Sequence, residues 1–564
     1  MVDISGLLNF TDDVSNFKLY ESEWVPKVVK YNEELKKKIP AEYQIDSSLV
    51  PGDLDDSTFS PIKFLYDNKI LSKREFEITD TPAHLLVEKI ASMELSSVEV
   101  LKAFVHRAVI CQQFTNFVMD FFFEEGLKKA AELDKILKET GKTVGPLHGL
   151  PISLKEQVGY GGKITTGGWV SNIENVLEKD AVTIQVLRKL GAVFYVRTSQ
   201  PQTIMHLDTD NNIIGRTRNS YNTLLSPGGS SGGEGACVSF GGSAMGVGTD
   251  IGGSIRAPAA FCGCFGLRPT SRRISTAGGV SAAGGQESVV AVCGPLTRYI
   301  DDVELFMESY INSGNPWDID PWSLRIPWRK ISAPIPQNLT IAVMYDDGVV
   351  KPLPPIERGL KIVVEKLKNA GVNIIEFKPI KTQEAYETVN ILYNCDGNEK
   401  QKSLLKPSGE PLLPLTKWCL SFGKGDKPLS ITENRNLNMI RDYLRGLYLD
   451  YMVNNKVDFI LSPNYPSVAP SHKEGPHYWG YTSLWNILDM PSLTFPTYLY
   501  QDPSIDIVKD ASYKPRSTID EIEQIKYDAK SAAGAPIALQ LTGRRYFDEE
   551  VVAAGKMIDA LLKA

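Results

Sequence analysis

The sequence predicts an α/β fold in which helices cover one large central β-sheet. Short apolar runs with the two-residue alternation of strands follow one another along the chain, separated by stretches with helical periodicity. This strand–helix–strand order is visible around residues 149–156, 181–190 and 192–196, and it returns at 340–343, 356–369 and 372–377. Such alternation is typical of layered α/β proteins, in which helices bury one face against a sheet.

The first 80 residues predict an N-terminal extension. They contain a charged helical stretch at 32–38 and loops rich in proline and aspartate between Pro51 and Pro61. A length of 564 residues would allow about three or four domains. No linker or low-complexity run separates such domains, so we expect residues 1–80 to pack on a single domain that spans residues 81–564.

Three helices are predicted after this extension. Residues 81–113 predict two of them, and Ser96 with Glu99 has the S-x-x-E pattern of a capping box at the start of the second. Apolar residues at helical spacing then predict one buried face, formed by Leu101, Phe104, Val105 and Ala108. The third helix covers 124–140 and is expected to end at Gly141, because glycine is favoured just after a helix.

The segment 149–156 predicts a strand that carries a lysine. Leu150, Ile152 and Leu154 alternate along it, and Lys155 follows directly. A helix over 181–190 that ends at Gly191 and a strand at 192–196 come next. Further strands are predicted at 459–461 and 537–541, and a closing helix at 548–562.

Composition and charge exclude several classes of protein. The net charge is −7 and the isoelectric point is near 5.6, so the chain has no basic footprint for nucleic acid. No apolar stretch reaches the roughly 20 residues of a membrane span, and the N-terminus lacks the pattern of a signal peptide. Seven scattered cysteines favour reduced thiols in a cytoplasmic protein, with Cys262 and Cys264 packed in the core rather than bound to a metal.

Glycine is concentrated in one part of the chain. Residues 228–270 contain 13 of the 45 glycines, and these alternate with apolar residues, which a flexible linker would not have. Glycine lets the backbone approach a ligand closely and adopt positive φ angles. Serines among such residues predict a nucleophile beside inward-facing N–H groups that stabilise an anion.

Four motifs in this region carry a resemblance to the amidase signature family. They span Pro151–Glu156, Gly228–Ala236, Gly248–Pro258 and Cys262–Thr270, within a signature core of about 145–275. The likeness extends from about residue 81 to residue 545. The stretch Lys38–Tyr43 and the variant Glu234 are similar to the fungal acetamidase branch, with the fatty acid amide hydrolases next. The resemblance implies a large twisted mixed sheet flanked by helices on both faces.

The resemblance also implies an unusual catalytic triad. Ser254 is the expected nucleophile, Ser230 a bridging serine after a cis peptide bond, and Lys155 the base. Serine needs a neighbour that removes its proton, and lysine does this only when burial lowers its pKa far below about 10.4. The backbone N–H groups of four residues are expected to form the oxyanion hole: Ile251, Gly252, Gly253 and Ser254. Four further residues are expected to support this loop by hydrogen bonds: Ser231, Thr249, Asp250 and Arg256.

The implied reaction is hydrolysis of a carboxamide to a carboxylate and ammonia or an amine through an acyl-enzyme at Ser254. The acetamidase likeness favours short aliphatic amides, with Trp169 and Ile204 as candidates for the acyl pocket. The expected partner is a small-molecule amide. No cofactor, metal or nucleic acid is expected, and a homodimer is an expectation at the level of the family.

Three alternatives remain open. The first is an amidotransferase-type subunit that acts only in a complex, and the second a fatty acid amide hydrolase. The third is an α/β-hydrolase esterase, because Gly228–Gly232 also fits G-x-S-x-G, with His472 or His477 as the base. A P-loop is excluded, because Ile164 follows Gly162 and Lys163 where a hydroxyl residue is required.

Overall fold

A mixed sheet of 11 strands forms the centre of the molecule. The computed structural model describes residues 5–508 and 512–564. The strands of the described part are β1 Val118–Phe121, β2 Pro151–Lys155, β3 Val193–Thr198, β4 Asp210–Asn211, β5 Gly215–Arg216, β6 Met245–Asp250, β7 Phe265–Arg268, β8 Val292–Thr297, β9 Thr340–Val343, β10 Asn373–Glu376, β11 Phe459–Pro463, β12 Ser492–Tyr500 and β13 Pro536–Thr542. The large sheet has the order β1-β3-β2-β6-β8-β7-β12-β13-β11-β9-β10, and β4 pairs with β5 separately.

The strand pairing confirms the predicted mixed α/β sheet. Strand β2 is parallel to β3 and β6, and β9 is parallel to β10 and β11, whereas the other neighbours are antiparallel. Every residue of β2, β3, β8 and β13 is buried, so the middle of the sheet is covered on both faces. Because β2 and β6 are parallel neighbours, their carboxyl ends meet at one edge, where Lys155 and Asp250 lie.

Helices surround this sheet. The α-helices of the described ranges are α1 Phe17–Leu19, α2 Val25–Lys38, α3 Pro61–Asp67, α4 Lys73–Thr79, α5 Ala83–Ala91, α6 Ser97–Thr115, α7 Phe123–Thr140, α8 Val182–Lys189, α9 Gly232–Phe240, α10 Arg256–Phe261, α11 Ile300–Glu308, α12 Pro354–Asn369, α13 Thr382–Tyr393, α14 Glu399–Leu405, α15 Pro414–Leu420, α16 Ile431–Asn454, α17 Gly480–Leu488, α18 Thr518–Ile525 and α19 Asp548–Lys563.

The predicted helices of the first third are confirmed, with one correction. Helix α7 ends where Gly141 takes a φ of 65° and its N–H donates to Leu137, and the predicted face of α6 is fully buried. Ser96 Oγ accepts from the Glu99 N–H at 3.0 Å, but the reciprocal half of the capping box is absent. The reason is that the Glu99 carboxylate instead accepts from Arg74 Nε at 2.9 Å.

The glycine-rich region is a helix–strand–helix unit, α9-β6-α10, which the sequence did not predict. Its glycines allow close packing. A Cβ at Gly233 would lie 2.4 Å from the Ser199 backbone nitrogen, and one at Gly246 would lie 1.9 Å from the Glu234 carboxylate. Side chains at these positions would push α9 away from β2, β3 and β6, so the glycines fix the distance between helix and sheet.

The N-terminal residues contact the rest of the chain from several of their segments. Leu35 of α2 lies in one apolar cluster with Leu101 of α6, and Lys38 Nζ is 2.8 Å from the Asp120 carboxylate of β1. Before α1, the Asn16 N–H donates to Gly409 O at 2.8 Å. Among the described residues, no helix combines the length and apolarity that crossing a membrane requires.

Candidate active site

Lys155 ends β2 inside the protein, without exposed surface. Its Nζ is 2.7 Å from Ser230 Oγ and 2.8 Å from Thr249 Oγ1. Burial lowers the pKa of Lys155 from 10.5 to about 7, although the nearby Cys293, Asp250 and Glu234 oppose this shift. A large fraction of this lysine is therefore an uncharged amine near neutral pH, which is the state that accepts a proton.

Ser230 follows a cis peptide bond from Gly229 and precedes α9. A Cβ at Gly229 would lie 2.2 Å from the Asp208 carbonyl oxygen, so only glycine fits there. The next residue, Ser231, connects this segment to the end of β6. Its N–H donates to Ser254 O at 3.1 Å, and its Oγ accepts from the Thr249 N–H at 3.2 Å.

Ser254 belongs to the short connection between β6 and α10, and 7% of its surface is exposed. We call residues 251–254 the nucleophile loop. Ser254, Ser230 and Thr249 line one cavity of about 320 Å³, so the structure brings the two predicted serines and the Lys155 partner Thr249 to the same space.

The N–H groups of the nucleophile loop have different partners. The Gly253 N–H donates to Asp250 Oδ1 at 2.9 Å, which gives this predicted oxyanion donor another acceptor. Gly253 O accepts from the Ala257 N–H at 2.7 Å at the start of α10. The N–H groups of Ile251, Gly252 and Ser254 have no acceptor within the described part of the chain.

A buried ion pair holds this loop. Arg256 Nε and Nη2 each donate to the Asp250 carboxylate at 3.1 Å, and both side chains are fully buried. Burial alone would raise the pKa of Asp250, but the Arg256 charge and hydrogen bonds lower it to about 2. Asp250 therefore stays ionised and holds the N–H groups of Gly253 and Ile255.

Several contacts of the loop come from residues that the sequence analysis missed. Asn486 Nδ2 donates to Asp250 at 2.8 Å, and Thr482 Oγ1 donates to Gly252 O at 2.7 Å. Tyr393 Oη donates to Ile251 O at 2.6 Å. These residues lie in α13 and α17, more than 100 positions after the loop, and no local pattern marks them. Gln157 is different, because it follows the Lys155 motif directly and its Oε1 accepts from Thr249 Oγ1 at 2.9 Å.

The cavity wall includes small residues and one turn with positive φ angles, beside larger and charged side chains such as Arg272 and Trp322. Thr203 and Ile204, with φ angles of 64° and 66°, line it together with a segment of mostly short side chains over residues 276–285. Ile204 therefore borders the cavity, as the sequence suggested. Trp169 does not: it packs with Leu405, Leu412 and Leu420 in an apolar cluster.

The two histidines of the esterase alternative do not reach this cavity. His472 Nδ1 is 2.6 Å from Arg216 Nη1, and its Nε2 is 3.0 Å from Asp55 O. The ring of His477 packs edge-on against Trp418. Neither is among the residues that line the cavity, so neither is placed to act as a base for Ser230. No group of three or more potential metal ligands occurs in residues 5–508 and 512–564.

Comparisons with known proteins agree with this geometry. A sequence profile of the Amidase family matches residues 99–552. The chain is 38% identical over 549 residues to the acetamidase of Emericella nidulans, covering 96% of this chain and 98% of that protein. A solved structure of a fatty acid amide hydrolase has 56% identity and a TM-score of 0.98, covering 100% of both chains. A bacterial aryl acylamidase with 20% identity and a TM-score of 0.67 shares the fold over 85% of this chain and 96% of its own.

The family match covers most of the chain, and the relatives align over nearly their whole length. The chain therefore belongs to the amidase family and is a hydrolase that acts on amides.

Proposed function

We propose that the protein hydrolyses amides through a Ser254 acyl-enzyme, with Ser230 as the proton relay and Lys155 as the base. The Ser254 hydroxyl proton passes to Ser230 Oγ while the Ser230 proton passes to Lys155 Nζ, and Ser254 Oγ bonds to the amide carbon. The protons then return along the same path to the leaving nitrogen as the C–N bond breaks. Water releases the carboxylate by the same steps in the second half of the reaction.

The hydrogen-bond directions around Lys155 support this path. Thr249 donates its hydroxyl proton to Gln157 Oε1, so its oxygen is free to accept from Lys155 Nζ. A neutral lysine that donates to Thr249 directs its lone pair elsewhere, and Ser230 Oγ is its other partner at 2.7 Å. Gln157 thus makes Thr249 an acceptor for Lys155, which leaves the lone pair of the neutral amine for the Ser230 proton.

Three backbone N–H groups are the proposed donors to the oxyanion. Those of Ile251, Gly252 and Ser254 lack another acceptor among the residues that the structure describes, whereas that of Gly253 donates to Asp250. Each donor of this kind lowers the barrier by about 3–4 kcal/mol. Ser231, Thr249, Asp250 and Arg256 support the loop by the contacts described above.

The observation that carries this proposal is a buried amine with a pKa of about 7 at hydrogen-bond distance from a serine that shares a cavity with Ser254. The test is labelling with a fluorophosphonate, followed by mass spectrometry of the peptide that contains residue 254. We expect one adduct, on Ser254, and none in the Ser254→Ala variant. Folded wild-type protein without an adduct would contradict the proposal.

For the substrate, the acetamidase relatives support short aliphatic amides, and this stays a prediction. The cavity favours a second candidate, an amide with a larger acyl group. At about 320 Å³ it lies in the range of about 300–1,000 Å³ that holds drug-sized ligands. Its wall of alanine and glycine residues, including Ala277, Ala282 and Gly284, leaves this space unfilled beside Ser254.

A panel of primary amides with two to sixteen acyl carbons separates the two candidates. A maximum of kcat/KM at two to four carbons supports the acetamidase-like prediction, and a maximum at longer chains supports the larger acyl group. Substitution Ala282→Phe narrows the cavity and is expected to lower activity on long amides without affecting acetamide. Equal losses on both substrates would contradict a role of this wall in acyl selection.

Three further expectations remain proposals. Cytoplasmic location is supported by the seven free cysteines of the described chain. A homodimer and action without a second protein or cofactor rest on the family resemblance. Ammonia release from a simple amide by the purified protein alone tests independence from an amidotransferase complex. Light scattering gives the oligomeric state.

A further inference from the structure

Two hydroxyl groups from outside the wall of the Ser254 cavity hold the nucleophile loop. Tyr393 Oη donates to Ile251 O at 2.6 Å, and Thr482 Oγ1 donates to Gly252 O at 2.7 Å. Tyr393 is the last residue of α13, and Thr482 lies in α17. Neither lines the cavity that contains Ser254, although Ile251 does. The two hydroxyls therefore contact the loop without contacting the proposed substrate position.

Because the peptide bond is planar, a hydrogen bond to the C=O of one residue also fixes the direction of the N–H of the next residue. In a trans peptide, the C=O of one residue and the N–H of the next point in opposite directions. A donor on Ile251 O therefore turns the Gly252 N–H away from Tyr393. Ile251 and Ser254, on either side of this N–H along the chain, both border the cavity.

We propose that Tyr393 is a positioning residue for the oxyanion hole: its hydroxyl fixes the Ile251–Gly252 peptide so that the Gly252 N–H donates to the developing oxyanion. This inference rests on the proposed function of Ser254. It assigns a role in turnover to α13, which lies outside the signature core.

The surroundings of Tyr393 fit this role. Its ring packs edge-on against Trp479 with centroids 5.9 Å apart, and Trp479 Nε1 is anchored to Asn390 Oδ1 at 2.8 Å. Burial raises the pKa of Tyr393, and the Asp250 charge adds to the effect, so the phenol stays protonated and remains a donor. A Cβ at Gly252 would lie 2.8 Å from the Tyr393 hydroxyl, so glycine is what allows this contact.

The test is the variant Tyr393→Phe, which removes only the hydroxyl. Loss of a direct oxyanion donor lowers kcat about 100- to 1,000-fold, and a donor that is present but loosely oriented is expected to give a smaller loss, about 10-fold. KM should change less than about twofold, because the ground-state carbonyl depends little on this donor. Affinity for a trifluoromethyl ketone, which forms an oxyanion on Ser254, should fall by the same factor as kcat/KM.

A matched control is Tyr448→Phe. Tyr448 is also buried and donates from its hydroxyl to a backbone carbonyl, Ile380 O at 3.1 Å, but it does not contact the nucleophile loop. We expect wild-type kcat for this variant. If Tyr393→Phe does not fold, 4-fluorophenylalanine and 4-aminophenylalanine at position 393 replace it, because the first fills the same volume without a donor and the second restores one.

The results separate this inference from the proposed function. If Ser254 is not labelled by the fluorophosphonate in the wild type, the proposed function fails. If it is labelled but Tyr393→Phe keeps wild-type kcat and ketone affinity, or raises KM alone, only the positioning role is overturned. A lower kcat with parallel loss of ketone affinity, recovered by 4-aminophenylalanine, supports it.

Discussion

Two buried carboxyl groups, Asp250 and Glu234, lie near Lys155 but differ in charge. Asp250 is bonded to Arg256, Asn486 and two backbone N–H groups, and its pKa is lowered to about 2. Within the described part of the chain, the partners of the Glu234 carboxyl are the hydroxyls of Ser153 and Thr198, at 2.6 and 2.9 Å. Burial therefore raises its pKa to about 8, so it is mostly protonated at neutral pH.

The difference shows that the charge of a buried carboxyl depends on the hydrogen-bond donors and cations around it. The charge of Asp250 is used to hold the nucleophile loop. A second charge on Glu234 would favour the ammonium form of Lys155 and remove the base. Hydroxyl groups can also accept, so the protonated carboxyl of Glu234 donates its O–H to one of these two partners and accepts from the other, and neither supplies the positive charge that would ionise it.

The largest expected effect comes from removing the amine that both carboxyls influence. Lys155→Met should lower kcat/KM about 100- to 10,000-fold, the usual contribution of a general base. The steady-state rate on an amide substrate measures this, with Lys37→Met, an exposed lysine of α2, as the control. If Lys155→Met retained most of its activity at pH 7, the assignment of the base would be wrong.

Asp250→Asn tests the charged member of the pair. It leaves the Arg256 cation buried without a carboxylate partner, so the free energy of unfolding should fall by about 3–5 kcal/mol. Turnover should also fall at least about 10-fold, because an oxyanion donor is misaligned when its loop moves. Urea unfolding and kcat measure the two effects.

The double variant Asp250→Asn/Arg256→Met is the matched control for stability. It removes both charges, so it should regain part of the unfolding free energy but not the turnover. A single Asp250→Asn variant as stable as the wild type would show that the ion pair does not hold the loop.

The pH dependence of activity tests the pKa of Lys155, which the charges of the two carboxyls influence. Protonated lysine cannot accept the relayed proton, so kcat/KM should rise with pH and reach half its plateau near pH 7, the pKa of Lys155. At pH 6 it should be about one-tenth of the plateau. Rates of amide hydrolysis between pH 5 and 8, below the range in which Glu234 is mostly ionised, measure this, and a flat profile from pH 5.5 to 8 would contradict a lysine base.

The smallest expected effect concerns the neutral member, Glu234. Its pKa is raised from 4.5 to about 8, so the stability that its protonated form provides is complete below pH 4.5 and is lost as the pH rises to about 8. Glu234→Gln mimics the protonated carboxyl. Its unfolding free energy should therefore exceed that of the wild type increasingly from pH 5 to 8, by about 1–3 kcal/mol at the upper end.

Urea unfolding at pH 5, 6.5 and 8 measures this difference, with Glu21→Gln at an exposed position as the control. A Glu234→Gln variant that is less stable than the wild type at pH 8 would mean that Glu234 is ionised in the folded protein. The comparison with Asp250 would then fail.

Local patterns were sufficient for much of the fold. The alternation before Lys155 predicted β2, and the apolar spacing after Ser96 predicted α6, because each pattern lies within a few consecutive residues of the chain. The region 228–270 was harder. Its helix and strand depend on packing that glycine permits rather than on helical or strand propensity, so α9 and β6 have no local signal.

The same reasoning separates the parts of the site. Residues within the motifs, such as Lys155 and Ser254, were identified by resemblance. In the structure Ser254 lines the cavity, and Lys155 is hydrogen-bonded to Ser230, which also lines it. Tyr393, Thr482 and Asn486 could not be predicted, because their role depends on α13 and α17 packing over a loop more than 100 residues earlier. Only the three-dimensional contact reveals them.

The paired glycines of the nucleophile loop have a consequence for redesign and divergence. A Cβ on Gly253 would come within 2.3 Å of Thr482 Oγ1, as one on Gly252 would crowd Tyr393. Positions 252 and 393 therefore form a unit of co-substitution, whereas Gly253 has a φ of 130°, so a side chain there would be strained even with a shorter residue at position 482. A homologue or engineered variant with alanine at position 252 should carry a shorter side chain at position 393, and grafting the loop alone into another scaffold would leave its orientation unspecified.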